Sequence, residues 1–254
     1  MRLVKFLALA GLASRRKAAD FVKQGKVQIN GRLVLELSYQ VEPEKDQVLV
    51  EGKEVKLPSK VYYLFYKPRG YLTSLYDPHH RKTIAEFLRE LPYRVFPVGR
   101  LDKDSEGLLL LTNDGDLANL LLHPRFEVVR TYHVWVDKFF SSSQIEKVLK
   151  EGVEVEGKLV KPLNFRLIKK DNHYFVYEVK LKEGRKREVR RIVKSMSGNV
   201  KRLLRVGYGP LTLGKLKPGE IVELKGKELE KLLAFVGQIK NSKTLAKTSS
   251  GEPT

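Results

Sequence analysis

The sequence predicts an α+β protein built in two parts, a small N-terminal α/β module followed by a larger domain of short strands with a few helices. Three observations predict it. Residues 1–59 carry two short helical patterns and then strand-and-turn patterns, ending at a Pro58-Ser59-Lys60 linker. From residue 60 to about 237, short apolar runs alternate with Gly, Pro, Asn and Asp punctuation. A chain of 254 residues can bury one good-sized core together with a small appendage.

The elements follow in order. Leu3, Leu7 and Ala10 recur at helical spacing and stop at Gly11. Ser14 is placed to cap a second helix with Ala18, Phe21 and Val22 on one side, closed by Gly25. Val27-Gln28-Ile29 alternates as a strand, and Asn30-Gly31 is a two-residue hairpin turn. Val48-Leu49-Val50 and the turn Glu51-Gly52-Lys53 complete the module. In the larger part, residues 61–66 form a strand that ends at Lys67-Pro68-Arg69-Gly70, and residues 83–91 a helix closed by Pro92. Leu108 to Leu111 is a buried strand, Asn113-Asp114-Gly115 a turn, and residues 117–122 a helix ending at His123-Pro124. Residues 132–137 and 174–181 alternate as strands, while 142–150 and 188–197 have helical spacing, the latter capped by Gly198. Residues 238–254 are polar and small, the composition of a disordered tail.

Lys and Arg number 49 against 30 acidic residues, a formal net charge of +19 that favours association with phosphate-rich polyanions. The absence of Cys excludes disulfides and thiolate metal sites. No apolar run approaches the ~20 residues that span a bilayer. Met1 to Phe6 shows no signal-peptide pattern, so a cytoplasmic location without a membrane partner is expected.

The basic residues concentrate in two places. Arg15, Arg16 and Lys17 occupy the first turn of a helix, where the macrodipole disfavours each exposed cation by roughly 0.3–1 kcal/mol. A merely solvated face would carry acids there, so these three are placed for phosphates. Between Lys182 and Val206 there are ten basic residues and two acidic ones, whereas a solvated face would mix both signs. On a helical wheel of residues 188–197, Val189, Ile192, Val193 and Met196 form the apolar stripe. Arg187, Arg191 and Lys194 face away from it. Arg190 falls at the border, a position suited to a cation that points into a site.

The most informative segment runs from Gly99 to Gly115, where an acid sits in a Gly-bounded turn just before four leucines. Asp102-Lys103-Asp104-Ser105-Glu106-Gly107 imitates the opening of a calcium loop. Its twelfth position, however, is Asn113 rather than a bidentate Glu, and its exit is a Leu-rich strand rather than a helix. Taken alone, Asp102 could equally be a turn or capping residue. The five histidines are His79, His80, His123, His133 and His173; His79-His80, the one adjacent pair, suits a loop surface, and no metal-ligand cluster is visible.

Residues 99–115 closely resemble the GRLD-x-x-[ST]-x-GLLLLTNDG signature of bacterial ribosomal RNA pseudouridine synthases of the RsuA/RluB family. Other blocks follow in that family's order. Lys67-Pro68-Arg69-Gly70 resembles KPxG, His123-Pro124-Arg125 the HPR after the signature helix, and Arg130-Thr131-Tyr132-His133-Val134 K-x-Y-x-V with Arg for Lys. Residues 183–191 resemble EGRxRQ[IV]RR, with Glu188 in place of the usual Gln. Residues 1–59 resemble the S4-type RNA-binding domain commonly fused to these enzymes, and the resemblance covers about residues 2–225.

The resemblance implies an S4-like domain followed by a mixed, mainly antiparallel sheet with flanking helices. It also implies isomerisation of a uridine in ribosomal RNA to pseudouridine: the C1′–N1 bond breaks, the uracil turns, and C5 rejoins the ribose. Asp102 matches the catalytic aspartate, acting as a nucleophile at C1′ or as a base at C2′. Tyr132 matches the tyrosine that packs on the target base, Arg190 the basic residue that pairs with the aspartate, and Leu204 an apolar wall. Lys67 belongs with the substrate-binding set, as do Arg15, Arg16, Lys17, Arg187 and Arg191. The target base must be flipped or already unpaired, and Arg100 is a candidate to fill the gap in the stack. The reaction is redox-neutral, so no cofactor or metal is expected. The unbroken leucine run and the HPR point to 23S rather than 16S RNA, with the chain acting as a monomer. A non-catalytic ribosome-assembly protein is the alternative, but it would have no need of Asp102. A fused methyltransferase lacks support, because Gly207-Tyr208-Gly209 precedes Pro210 and fits a turn.

Overall fold

In the computed structural model the described residues are 1–79, 82–170 and 173–248. His80 and the last part of the expected tail, residues 249–254, lie outside them, while His79 is exposed in a loop as expected. The chain divides into two units: Met1–Val61 with Leu91–Val95, and Tyr62–Glu90 with the chain from Phe96 onward.

The first unit begins with helices α1 (Leu3–Leu9) and α2 (Arg15–Lys23). Ser14 caps α2, its Oγ accepting the Lys17 N–H at 3.3 Å. Strands β1 (Val27–Ile29), β2 (Arg32–Leu33), β3 (Val48–Val50) and β4 (Lys53–Glu54) form an antiparallel sheet in the order β2-β1-β3-β4. Asn30 (φ 52°) and Gly31 (φ 79°) supply the two left-handed positions of the β1–β2 turn. Leu3, Phe6 and Leu7 pack with Ala18, Val22, Val27, Ile29, Val48 and Val50 in a core of their own.

In the second unit the chain runs β5 (Tyr62–Lys67), α3 (Ala85–Leu88), β6 (Phe96–Pro97), β7 (Glu106–Thr112) and α4 (Gly115–Leu122). It continues through β8 (Arg130–Val136), α5 (Ser142–Glu151), β9 (Val153–Val155), β10 (Lys158–Val160), β11 (Asn164–Lys170) and β12 (Phe175–Leu181). It closes with α6 (Glu188–Ser195), β13 (Val200–Tyr208), β14 (Leu211–Thr212), β15 (Ile221–Glu223) and α7 (Gly226–Thr248). Nine strands make one sheet along β11-β12-β8-β13-β7-β5-β15, with β14 beside β13 and β6 beside β7. Among the described strands only β7 and β13 pair in parallel; the sheet is otherwise antiparallel.

The four leucines of β7 are fully buried, which explains their unbroken run: this strand is covered on both faces. Leu108 and Leu110 join Tyr62, Leu64, Tyr66 and Leu204 in a core closed by α4 and α7. A second core gathers Val134, Val136, Phe165 and Tyr177 beneath Val148 of α5 and Val189, Ile192 and Val193 of α6. The apolar stripe of α6 is as the wheel predicts.

Two expectations meet a different structure. The helix at 83–91 shrinks to α3, because Thr83 bridges Leu72 and the Ile84 N–H donates to the Leu72 carbonyl at 3.0 Å. That backbone is committed before a helix can start. The polar tail is helical as far as Thr248, as part of α7. Leu232, Val236 and Ile239 bury one side of α7, and the Lys, Leu and Ala that follow are strong helix formers.

The β7–β13 pairing depends on Gly107. Its φ is +108°, and a Cβ there would lie 2.4 Å from the Arg205 carbonyl oxygen and 2.8 Å from the Arg205 nitrogen. Backbone cannot yield as a flexible side chain does. Gly107→Ala is expected to destabilise the second unit by more than about 4 kcal/mol or to prevent soluble expression. Thermal melting checks this, and a variant that melts with the wild type would contradict the close β7–β13 approach.

Candidate active site

The Gly99–Gly115 segment is fixed to the sheet before its acids are considered. Thr73 Oγ1 accepts the Leu101 N–H at 3.1 Å and donates to the Leu101 carbonyl at 2.7 Å. Lys67, at the end of β5, is wholly buried, and its Nζ donates to the carbonyls of Pro68 (3.1 Å), Asp102 (3.1 Å) and Ser105 (2.7 Å). The Ser105 N–H closes the turn onto the Asp102 carbonyl at 3.0 Å, and the Gly70 N–H holds the Lys103 carbonyl at 2.7 Å. Burial lowers the Lys67 pKa to about 8 against the upward pull of Asp102, Asp104 and Glu106.

The three acids of this turn have different fates. Glu106 accepts Arg202 Nε at 2.6 Å and the Tyr66 hydroxyl at 2.9 Å, and the Arg202 guanidinium lies 4.5 Å from the Trp135 ring centre. Asp104 pairs with Arg190 at 3.1 Å and Arg187 at 3.3 Å. The Asp102 carboxylate has neither a hydrogen bond nor an ion pair among the described residues, and it is half-buried. At the far end of the segment, Asp114 Oδ1 accepts the N–H groups of Asp116 and Leu117 at 3.1 Å each, and Oδ2 accepts the Tyr62 hydroxyl at 3.0 Å. Asn113-Asp114-Gly115 thus serves as the cap of α4. The segment divides into a half free for chemistry and a half that builds structure.

Asp102 borders a cavity of about 690 Å³ whose walls include Arg100, Ser105, Tyr132, Leu203, Arg205 and Tyr208. The loop from Lys182 to Glu188 forms its basic rim. A second cavity of about 500 Å³ lies against Asp102 and Asp104 between Arg69, Lys103, Lys186 and Arg187. Among the described residues four buried side-chain polar atoms have no partner, and three of them, Ser105 Oγ, Glu188 Oε1 and Arg205 Nη2, belong to residues of the first cavity; the fourth is Arg190 Nε. Unsatisfied buried groups are rare in native proteins, so their concentration marks a site made for a polar ligand.

The structure places the expected residues as follows. Tyr132 forms part of the cavity wall, Arg100 is exposed at it, and Arg187 borders both cavities. Arg15, Arg16 and Lys17 are exposed on the first turn of α2, in the first unit. Others are corrected. Lys67 cannot touch RNA, because its ammonium is spent on backbone carbonyls in the interior. Arg190 pairs with Asp104 rather than Asp102, its Nη2 lying 3.1 Å from the Asp104 carboxylate and donating to the Asp104 carbonyl at 3.0 Å. Leu204 belongs to the core under α7, and Leu203 takes the wall position instead. Successive strand residues face opposite sides of the sheet, so a displacement of one residue exchanges the faces. Arg191 pairs with Glu156 at 3.2 Å, away from both cavities.

Sequence reasoning missed Arg205 and Glu188. Arg205 is hidden in the basic run on β13, where two register shifts interrupt the alternation that would have assigned its face. Glu188 is visible as the departure from Gln. It is buried at 3% exposure, and its Oε2 accepts the Arg185 N–H at 3.2 Å. Burial pushes its pKa up to about 7, helped by Glu183 and opposed by the Arg185 N–H and Arg130. Among the described residues no group of three His, Asp or Glu could hold a metal ion, and no helix is long and apolar enough to cross a membrane.

A fold of this kind, with an unengaged carboxylate facing a basic cavity, defines an enzyme that acts on RNA. The chain matches the RNA pseudouridylate synthase family over residues 61–195 and the S4 domain over residues 1–48. It is 44% identical over 238 residues to an uncharacterized RNA pseudouridine synthase of Aquifex aeolicus, covering 93% of this chain and 95% of that protein. It is 39% identical over 243 residues to ribosomal large subunit pseudouridine synthase B of Bacillus subtilis, covering 95% and 99%. A crystal structure of a pseudouridylate synthase superposes with a TM-score of 0.63 at 29% identity, covering 91% of this chain and 99% of that one. The chain belongs to the RNA pseudouridine synthase family: it is an isomerase with an N-terminal S4 domain.

Glu188 gives a pH test of this geometry. A carboxyl whose pKa is raised from 4.5 to about 7 favours the neutral form in the fold. The stability it withholds is therefore nil well below 4.5, grows as pH rises to about 7, and is constant above. Relative to wild type, Glu188→Gln should gain up to about 3 kcal/mol between about pH 4 and pH 8. Melting curves at the two pH values check this. A pH-independent difference would show that Glu188 is not held neutral.

Proposed function

We propose that this enzyme isomerises a uridine of ribosomal RNA, in 23S RNA of the large subunit, with Asp102 as the residue that acts at the ribose. The observation that carries the reading is the Asp102 carboxylate: it alone of the three acids in its turn is unengaged, and it faces a cavity beside Tyr132. The relative named for the large subunit, the unbroken leucine run and the His-Pro-Arg block favour 23S RNA.

In this reading a flipped uridine enters the cavity with its base against Tyr132, whose aromatic face suits stacking. The Asp102 carboxylate either bonds to C1′ as the C1′–N1 bond breaks or removes a proton at C2′. The ring then turns, C5 bonds to C1′ as the Asp102 bond breaks or the C2′ proton returns, and the C5 proton leaves while N1 takes one up. Arg190 acts as a positioning residue, since it holds Asp104 and thereby the turn. Its charge also interacts with Asp102 at longer range. Leu203 supplies the apolar wall, and Arg100, exposed at the cavity, fills the gap the flipped base leaves in the stack. Arg187 and the α2 cations Arg15, Arg16 and Lys17 contact phosphates, in a salt-dependent way.

Asp102→Asn keeps the shape of the side chain and breaks no protein contact. It should abolish conversion while the protein stays folded, with stability lowered only by the loss of the negative charge beside buried Lys67. The assay is pseudouridine mapping of 23S and 16S RNA from cells that lack the gene, complemented with either form. A variant that restores the modification would overturn the role of Asp102. A modification missing from 16S RNA instead would overturn the large-subunit assignment alone.

A further inference from the structure

Arg205 is the strongest unassigned group in the molecule. It is only 3% exposed, yet its guanidinium has no ion-pair partner among the described residues. The neighbouring cations have their charges matched: Arg190, though its Nε is unpartnered among the described residues, has the Asp104 carboxylate, Arg202 has Glu106, and Lys67 has three carbonyls. Arg205 has one protein hydrogen bond, from Nε to the Leu108 carbonyl at 2.8 Å, and its Nη2 is without a partner among the described residues. A buried, unpaired guanidinium is costly, and a fold that keeps one normally uses it.

Its placement says what for. In the sheet register Arg205 lies opposite Tyr132 on one side and Gly107 on the other, between the tyrosine and the turn that carries Asp102. The guanidinium packs 5.2 Å from the Tyr208 ring centre, and both residues line the same cavity as Asp102. With Nε tied to Leu108, the Nη edge is the part left for a ligand. A guanidinium offers rigid, permanently charged donors and no acceptor, so its partner is an oxygen that is or becomes negative.

We infer that Arg205 contacts the substrate during isomerisation, its Nη groups donating to a carbonyl oxygen of the uracil ring. This rests on the uridine occupying the cavity as proposed above. When C1′–N1 breaks, the bonding electron pair stays with the ring and spreads onto O2 and O4. The ribose carbon is compensated by its bond to Asp102 or by loss of the C2′ proton. When C5 bonds to C1′, Asp102 is released (or the C2′ proton is returned) and the ring becomes neutral; the C5 proton is then lost as N1 takes one up, so no oxidant or reductant is involved. A fixed cation near those oxygens stabilises the charge only while it exists, which is the condition for accelerating the step.

The test uses the full chain and a synthetic RNA carrying a uridine that the wild-type enzyme has been shown to convert. Failure of wild-type conversion thus bears on the ribosomal RNA reading, and failure of the variants on this one. Arg205→Ala should slow single-turnover conversion by about 10²-fold or more while RNA affinity changes less than about threefold. Arg205→Lys should fall between, keeping the charge but losing the fork. Replacing the O2 or O4 of the target base with sulfur, a weaker acceptor, should slow the wild type and leave Arg205→Ala no slower. Circular dichroism establishes that each variant is folded. If Arg205→Ala does not fold, Arg205→Lys decides by the same two measurements. Variants that convert within about threefold of wild type, or that lose affinity in proportion to rate, would overturn the inference.

Discussion

The site depends on one buried ammonium. Lys67 reaches the Asp102 and Ser105 carbonyls from the end of β5 and so holds both ends of the turn with one side chain. Such a group is expensive to bury, as its pKa of about 8 records. The expense is limited by three carbonyl acceptors and by the acids at 102, 104 and 106. Lysine suits the position because a compact charge on a long apolar stem can traverse the interior and end among carbonyls. Lys67 pairs with Gly107 in the β5–β7 register, and Gly107 in turn lets β13 approach in parallel. That approach brings Leu203 and Arg205 to the cavity. Lysine and glycine together set the distance between the turn and the strand that face each other across the site.

Electrostatics then divides the labour within the turn. Asp104 and Glu106 are bound to arginines from α6 and β13, which locks the turn to two distant segments of the chain. Their engagement leaves Asp102 as the acid available to a ligand. The surplus of positive charge has a different task. It lies on the exposed rim from Lys182 to Arg187 and on the first turn of α2, where solvent screens it and it acts on a polyanion at a distance.

Much of this was legible in the sequence. Helices α1, α2, α4, α5 and α6, the two-residue hairpin and the buried leucine strand follow from periodicity and capping, and the Gly99–Gly115 segment identified both the acid and the family. What was not legible was pairing and facing. Arg190 and Arg205 both stand in a dense basic run, and composition alone cannot tell which is bound to a carboxylate and which is not. The choice between Leu203 and Leu204 turns on strand register, and β13 carries two irregularities that a strict alternation does not foresee. The edge strand β11 was missed because its exposed residues mix charged Arg166, Lys169 and Lys170 with Leu167 and Ile168, so no alternating apolar pattern marks it.

The burial of Lys67 shows why a motif is a poor guide to contact. As a basic residue in a signature block it reads as part of the substrate-binding set, yet its charge is consumed inside the fold. Arg205 is the converse, absent from any signature quoted above yet left with donors to spare. The physical difference lies in the accounting of hydrogen bonds: Lys67 has three donors and three acceptors, while Arg205 has five donors and one acceptor in the protein. A side chain whose donors are all matched is part of the scaffold, however prominent its motif. One buried with donors unmatched is a place where the substrate completes the structure.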